Sequence, residues 1–178
     1  MIKIAFIGTH GTRKTTYAHD LTAYLKTEGI NADMLNEVAR ECPLVINEER
    51  TSQAQEWILY SQIAGELGFL KSSLDVLVCD RSVVDDYAYY VERFGNEQVL
   101  DMVVKRQIPT YDTLFRTKIP SGEIVADGVR STEKDFQKSI DETLTTLLQK
   151  FDVPYIDLED INQVKEYALG RVQRVRSL

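Results

Sequence analysis

The chain has 178 residues, 43% hydrophobic and 28% charged, the composition of a globular protein with enough apolar side chain to bury a core. Its formal net charge of −7 lacks the general positive field with which duplex-binding domains neutralise phosphates, which disfavours nucleic acid as a partner but not a small phosphorylated ligand. Two cysteines, Cys42 and Cys79, with no CxxC pair make neither a disulfide framework nor a zinc site, and no apolar run approaches the ~20 residues that cross a bilayer.

Ile2 to Ile7 follows Met1 directly; it is too short for a signal peptide and reads as a buried strand. With thiols suited to a reducing compartment, the expected location is the cytoplasm. Lys14 to Thr27 reads as a helix, with Ala18, Leu21, Leu25, Tyr17 and Tyr24 on one face and Gly29 as its stop. Ala32 to Leu35 is a weaker strand. Ser52 to Lys71 predicts a helix whose apolar stripe is Trp57, Ile58, Ile63, Ala64, Leu67 and Leu70. Asp75 to Cys79 is a third strand, with Cys79 as a core thiol. Ser82 caps a helix to Phe94, with Asp85 and Asp86 in the first turn, where the helix dipole favours acids. Then come a helix over Asn96 to Arg106, a strand over Thr113 to Ile119, and a helix over Ser131 to Phe151 with an imperfect capping box at Ser131. Pro154 to Leu158 is the last strand and Asn162 to Arg174 the last helix.

There is no internal repeat, so residues 1–178 read as one domain. Strands separated by helices pair in parallel through right-handed crossovers. The expected fold is a three-layer α/β/α sandwich around a mainly parallel five-stranded sheet. Ligands of such sheets bind outside the carboxyl ends of the strands, so the chemical motifs should gather there.

The first motif does. Gly8-Thr9-His10-Gly11-Thr12-Arg13-Lys14-Thr15-Thr16 follows the first strand and opens the first helix, the context of a phosphate-binding loop. Its backbone N–H groups and the helix N-terminus make a concave anion site. Gly8 permits the tight turn, and Gly11 takes a positive φ cheaply. Lys14 would reach the β- and γ-phosphates of ATP, and the Thr15 hydroxyl would bind Mg²⁺. Arg13 stands where the pattern wants Gly; its side chain must point away from the phosphates or bind them. His10 reads as a structural or substrate-lining loop residue.

Three more groups lie at strand ends. Glu37, just past the second strand, could orient an acceptor hydroxyl or take its proton. Asp80, ending the third strand, stands where a Mg²⁺-associated carboxylate belongs, and Arg81 can grip a phosphate or the acceptor with its planar fork. Arg130, in Asp127-Gly128-Val129-Arg130, could cross onto the transferred phosphoryl group from a lid around residues 120–131, with Arg116 and Lys118 as alternative cations. Tyr87, Tyr89 and Tyr90 read as helix-packing residues, with base stacking as the other option.

FIGTHGTRKTT, NEVARE and DGVR resemble the P-loop nucleoside and nucleotide kinases, most closely the NadR-type group that phosphorylates nicotinamide riboside. CDRS is closer to deoxynucleoside kinases, which carry an acid-Arg-Ser there and a catalytic glutamate after the second strand. The resemblance spans about Ile2 to Gln149, and the phosphate loop is its specific part. It implies ATP–Mg²⁺, an acceptor pocket between the second and third strands, and a mobile lid. The resulting expectation is an ATP-dependent phosphotransferase acting on a small nucleoside-like or nucleotide-like acceptor. Lys14, Glu37, Asp80, Arg81 and Arg130 would carry the chemistry, with Thr15 and Asp80 at the metal. No membrane partner is expected, and a homodimer is left open. The alternatives are a nucleotide-binding switch without a small acceptor, which Arg13 favours, and a kinase acting on nucleic acid.

Overall fold

Strand β1 (Ile2–Ile7) is buried at all six positions, Lys3 included, as a strand covered on both faces must be. The computed structural model describes residues 1–121 and 131–177. Among them, β2 (Ala32–Leu35), β3 (Val76–Asp80), β4 (Thr113–Arg116) and β5 (Ile156–Asp157) complete a five-stranded sheet in the order β2-β3-β1-β4-β5. Every pairing is parallel. The helices are α1 (Lys14–Thr27), α2 (Ser52–Gly68), α3 (Val83–Phe94), α4 (Gln98–Gln107), α5 (Lys134–Lys150) and α6 (Ile161–Arg176). The three-layer α/β/α architecture is the one the alternating pattern implies.

Side chains alternate across the sheet and divide the core in two. Ile4, Phe6, Val76 and Val78 pack with Ala18, Leu21 and Leu25 of α1 and Val164, Ala168 and Val172 of α6. Ala5, Ile7, Leu77 and Cys79 pack with α2 to α5 through Leu59, Tyr87, Val104 and Leu144. Each of the Val, Leu, Ile and Phe side chains among these contributes about 1.5–3 kcal/mol by leaving water. The register opposes Phe6 to Asp80 and Ile7 to Arg116, so β1, β3 and β4 end at nearly one level. The chemistry lies above that level.

Several expectations need correction. The α2 stripe is displaced: Ala64, Leu67 and Leu70 are exposed, while Gln55, Ile58, Leu59, Gln62 and Glu66 are buried. A polar buried face defeats a reading based on apolar periodicity. Its reason is a network in which the Glu66 carboxylate accepts from Lys3 Nζ (2.8 Å), Gln62 (2.9 Å), Gln107 (2.8 Å) and the Tyr111 hydroxyl (2.6 Å). The helix ends at Gly68, and Phe69–Lys71 tightens into a 3₁₀ turn. The capping box expected at Ser131 is absent: α5 starts at Lys134 without a side-chain cap. A complete box occurs instead at the start of α3, from Ser82 and Asp85. Strand β4 stops at Arg116; the next residue, Thr117, is buried, its N–H donates to Ile7 O (2.8 Å), and its hydroxyl lies 3.0 Å from Ile7 O and 2.6 Å from Thr12 Oγ1.

Candidate functional site

The loop between β1 and α1 is built around two positive-φ glycines, Gly8 (+145°) and Gly11 (+73°). At Gly8 sterics add a second reason: a Cβ would lie 2.4 Å from Thr117 Oγ1 and 3.0 Å from the Thr117 carbonyl. The Gly8 N–H donates to Asp85 Oδ1 (2.7 Å), and Asp85 Oδ2 accepts from the Ser82 N–H (2.9 Å) and hydroxyl (2.8 Å). One buried carboxylate thus ties the loop to the cap of α3. Burial pushes the Asp85 carboxyl up, opposed by Lys14 and then Arg81.

Arg13 is left-handed, with φ 66° and ψ 18°. A Cβ there costs roughly 1–2 kcal/mol, which is why the loop pattern wants Gly at this position. Its side chain is exposed. Lys14 is buried and donates to Thr9 O (2.6 Å), which also accepts from the Thr12 hydroxyl (2.9 Å). Burial, helped by the neighbouring Arg81, pulls the Lys14 ammonium down to about 8. Lys14, half-buried Thr15 and Asp80 line one small pocket with Gly11, Thr12 and Arg13. Thr16 is exposed on the first turn of α1.

Asp80 is the electrostatic signature of this pocket. It is 1% exposed, and neither carboxylate oxygen has a hydrogen-bond partner among the described residues. A buried carboxylate without donors is costly unless a cation or its bound water completes it. Hard oxygen donors suit Mg²⁺, which is held by one or two carboxylates together with phosphates. Asp80, with the Thr15 hydroxyl in the same pocket, fits such an ion. Among the described residues no group of three His, Cys, Asp or Glu could hold a metal without a ligand.

The next residue reaches across β3 to β2. Arg81 adopts φ 110°, and its Nε (2.8 Å) and Nη2 (2.6 Å) both donate to Glu37 Oε1. Glu37 Oε2 accepts from Arg40 Nε (3.0 Å). Glu37 and Arg81 are 8% and 5% exposed, so this pair is held out of water. Arg81 also lies over the Tyr89 ring, 5.0 Å from its centroid. His10 is fixed by the Tyr89 hydroxyl, which meets its N–H (3.1 Å) and Nδ1 (2.9 Å), and its carbonyl accepts from Gln137 Nε2 (2.7 Å).

A second, larger cleft opens beside the phosphate pocket and shares His10, Glu37 and Arg81 with it. Ile46, Ile58 and Tyr89 give it apolar walls, and Gln55 and Asp86 give it polar ones. Asp86 is buried, its Oδ2 has no partner among the described residues, and burial pushes its carboxyl well above the usual range.

The strand-end residues Glu37, Asp80 and Arg81 therefore meet the phosphate loop as expected. Arg130 and the core of the expected lid lie outside the described residues. Neither alternative cation joins the cluster: Arg116 turns to Asp141 (3.3 Å) and Thr145 (2.6 Å), and Lys118 pairs with Glu159. Sequence reasoning did not single out Asp85, Asp86 or Gln55 beside these pockets, and it read Tyr89 first as a packing residue with base stacking as the other option. The spacing Ser82-x-x-Asp85 was the available signal for the first; Asp86 and Gln55 look like ordinary helix residues.

A family model described as an AAA domain matches residues 3–166. No curated protein sequence matches the chain. Among solved structures, thymidylate kinase from Ehrlichia chaffeensis superposes with a TM-score of 0.68 at 17% identity, covering 94% of this chain and 98% of that one. Deoxyadenosine kinase from M. mycoides, solved with dCMP and a flexible dCDP bound, gives 0.65 at 15% identity, covering 97% and 100%. At such identities the likeness establishes the fold, which is that of the P-loop nucleoside and nucleotide kinases. No helix among the described residues is long and apolar enough to cross a membrane.

Proposed function

The chain belongs to the AAA-domain family, and from that premise we propose that it is a phosphotransferase that moves the terminal phosphate of ATP–Mg²⁺ to a hydroxyl of a nucleoside-like acceptor. The observation that carries this reading is the shared wall. The buried Glu37–Arg81 pair stands between the phosphate pocket and a second, adjoining cleft with both apolar and polar walls. A nucleotide switch needs the first pocket and has no use for the second.

The loop amides and Lys14 hold the phosphate chain. Mg²⁺, carried in with ATP and steadied by Asp80 and Thr15, would neutralise charge on the phosphates. Glu37 orients the acceptor. Its Oε1 is fixed by Arg81, while Oε2 is held by Arg40, whose side chain is 36% exposed. An acceptor hydroxyl can take the place of Arg40 on Oε2 and donate its proton there. Arg81, beside both pockets, steadies charge developing between them. Catalysis of this kind is positioning and electrostatics, with little covalent work for the protein.

Charge favours a nucleoside over a nucleoside monophosphate as acceptor. Both guanidiniums at the cleft, Arg81 and Arg40, are paired with Glu37. The cleft's other acid, Asp86, is held toward its neutral form. Asp86 and Gln55 are then placed to hydrogen-bond a base against Ile58 and Tyr89. Nicotinamide riboside, the acceptor of the NadR-type group, belongs to this class. The test separates binding from transfer. Glu37→Gln should bind ATP as wild type does and lose at least about a hundredfold in phosphate transfer; full transfer by that variant would refute the role of Glu37.

A further inference from the structure

Arg13 is the feature of the phosphate loop that the proposed function does not use. It holds a left-handed conformation, φ 66°, that glycine adopts without penalty and arginine does not. Retained backbone strain at a ligand site calls for a function of the side chain that causes it.

Among the described residues, three cations line the phosphate pocket: Arg13, Lys14 and Arg81. Arg81 is engaged by Glu37. Lys14 is buried and already donates to Thr9 O at 2.6 Å. Arg13 is exposed, its carbonyl accepts from the Tyr17 N–H (3.0 Å), and its guanidinium makes no hydrogen bond or ion pair with the described residues. It also borders the neighbouring cavity formed with Tyr17, Lys118 and Leu158. That cavity shares no lining residue with the second cleft. Its one acid among the described residues, Glu159, is paired with Lys118, so no described side chain there neutralises the Arg13 guanidinium.

We propose that the Arg13 side chain is a built-in clamp on the phosphate chain of the bound nucleotide, approaching from the side of the cavity it borders. It would provide a forked guanidinium where the loop otherwise relies on amides and a buried lysine already engaged by a backbone carbonyl. The phosphate loop is then strengthened by the residue that breaks its pattern. The inference rests on the nucleotide-binding reading of the loop and does not depend on any acceptor.

The test is direct titration of the full chain with ATP–Mg²⁺, without acceptor, at low and high salt. Arg13→Gln keeps the Cβ and the strained backbone and removes only the charge. Its ATP dissociation constant should rise about tenfold, the worth of one hydrogen bond to a charged group. The gap from wild type should shrink as salt rises, since an exposed contact is screened. Arg13→Gly should weaken binding similarly while raising the melting temperature of the free protein. Equal affinity of Arg13→Gln and wild type would overturn the clamp, as would a loss of affinity that salt does not alter. If wild type itself bound no ATP, the nucleotide reading would fall, and the clamp with it.

Discussion

Lys14 combines a buried position with a ligand that is an anion, which fixes how binding responds to pH. In the free protein its ammonium titrates at about 8, while bound phosphates would stabilise the charged form. ATP affinity should be level up to about pH 8 and then fall by up to about tenfold per unit, because binding takes up a proton. Isothermal titration across that range checks it, and Lys14→Met should abolish the trend. Stability of the free protein moves the other way. The folded value lies below the ordinary 10.5, so the unfolded chain binds more protons between the two values and stability rises with pH across that window. Glu37 has a structural duty beside its proposed chemical one. Glu37→Ala leaves the Arg81 guanidinium buried without a counter-charge, which should cost about 3–5 kcal/mol in denaturant unfolding. A loss below about 1 kcal/mol, the range of an exposed pair, would mean that Arg81 finds water. Glu37, Asp80 and Arg81 were readable from sequence because each falls where an apolar strand run stops. The orphaned oxygens of Asp80 and the left-handed backbone at Arg13 were not, since both depend on which atoms fold back on the site.

At the scale of elements, the join between the phosphate loop and α3 is the least obvious feature of the chain. Asp85 reads in sequence as a first-turn acid favoured by the helix dipole. In the structure it completes the capping box with Ser82 and holds the Gly8 N–H. Ser82→Ala should cost about 1 kcal/mol, the worth of a cap. Asp85→Ala should cost about 2–4 kcal/mol, since a buried amide loses its acceptor as well. Only the second change should also weaken ATP binding, because only it releases the loop. Equal effects of the two on ATP affinity would show that the join is structural alone. Helix α2 teaches the same lesson about periodicity. Its buried side is polar, with Gln55 lining the proposed acceptor cleft and Gln62 and Glu66 in the network with Lys3 and Tyr111. A stripe drawn through Leu67 and Leu70 therefore picks the wrong face. The order of elements survives such errors because it rests on alternation of strands and helices, which no single helix face can change.

At the scale of the whole molecule, topology gathers the candidate site. β1 lies in the middle of the order β2-β3-β1-β4-β5, with α1 packed on one face of the sheet and α3 on the other. Phosphate loop, Glu37 and Arg81 converge at the carboxyl ends of β1, β2 and β3, as the rule for open parallel sheets requires. The location of the site is therefore legible in the order of strands and motifs alone. The proposed acceptor cleft is not: it is walled by Gln55, Ile58, Asp86 and Tyr89 from two helices, and their convergence follows from how α2 and α3 pack. That cleft distinguishes a kinase from a switch. The most direct test of the account is ADP release from ATP–Mg²⁺ by the purified chain, measured against a panel of nucleosides, nicotinamide riboside and nucleoside monophosphates. The account predicts ADP release that depends on a nucleoside-like acceptor and exceeds that with the matching monophosphate. ATP hydrolysis at one slow rate whatever acceptor is added would contradict it.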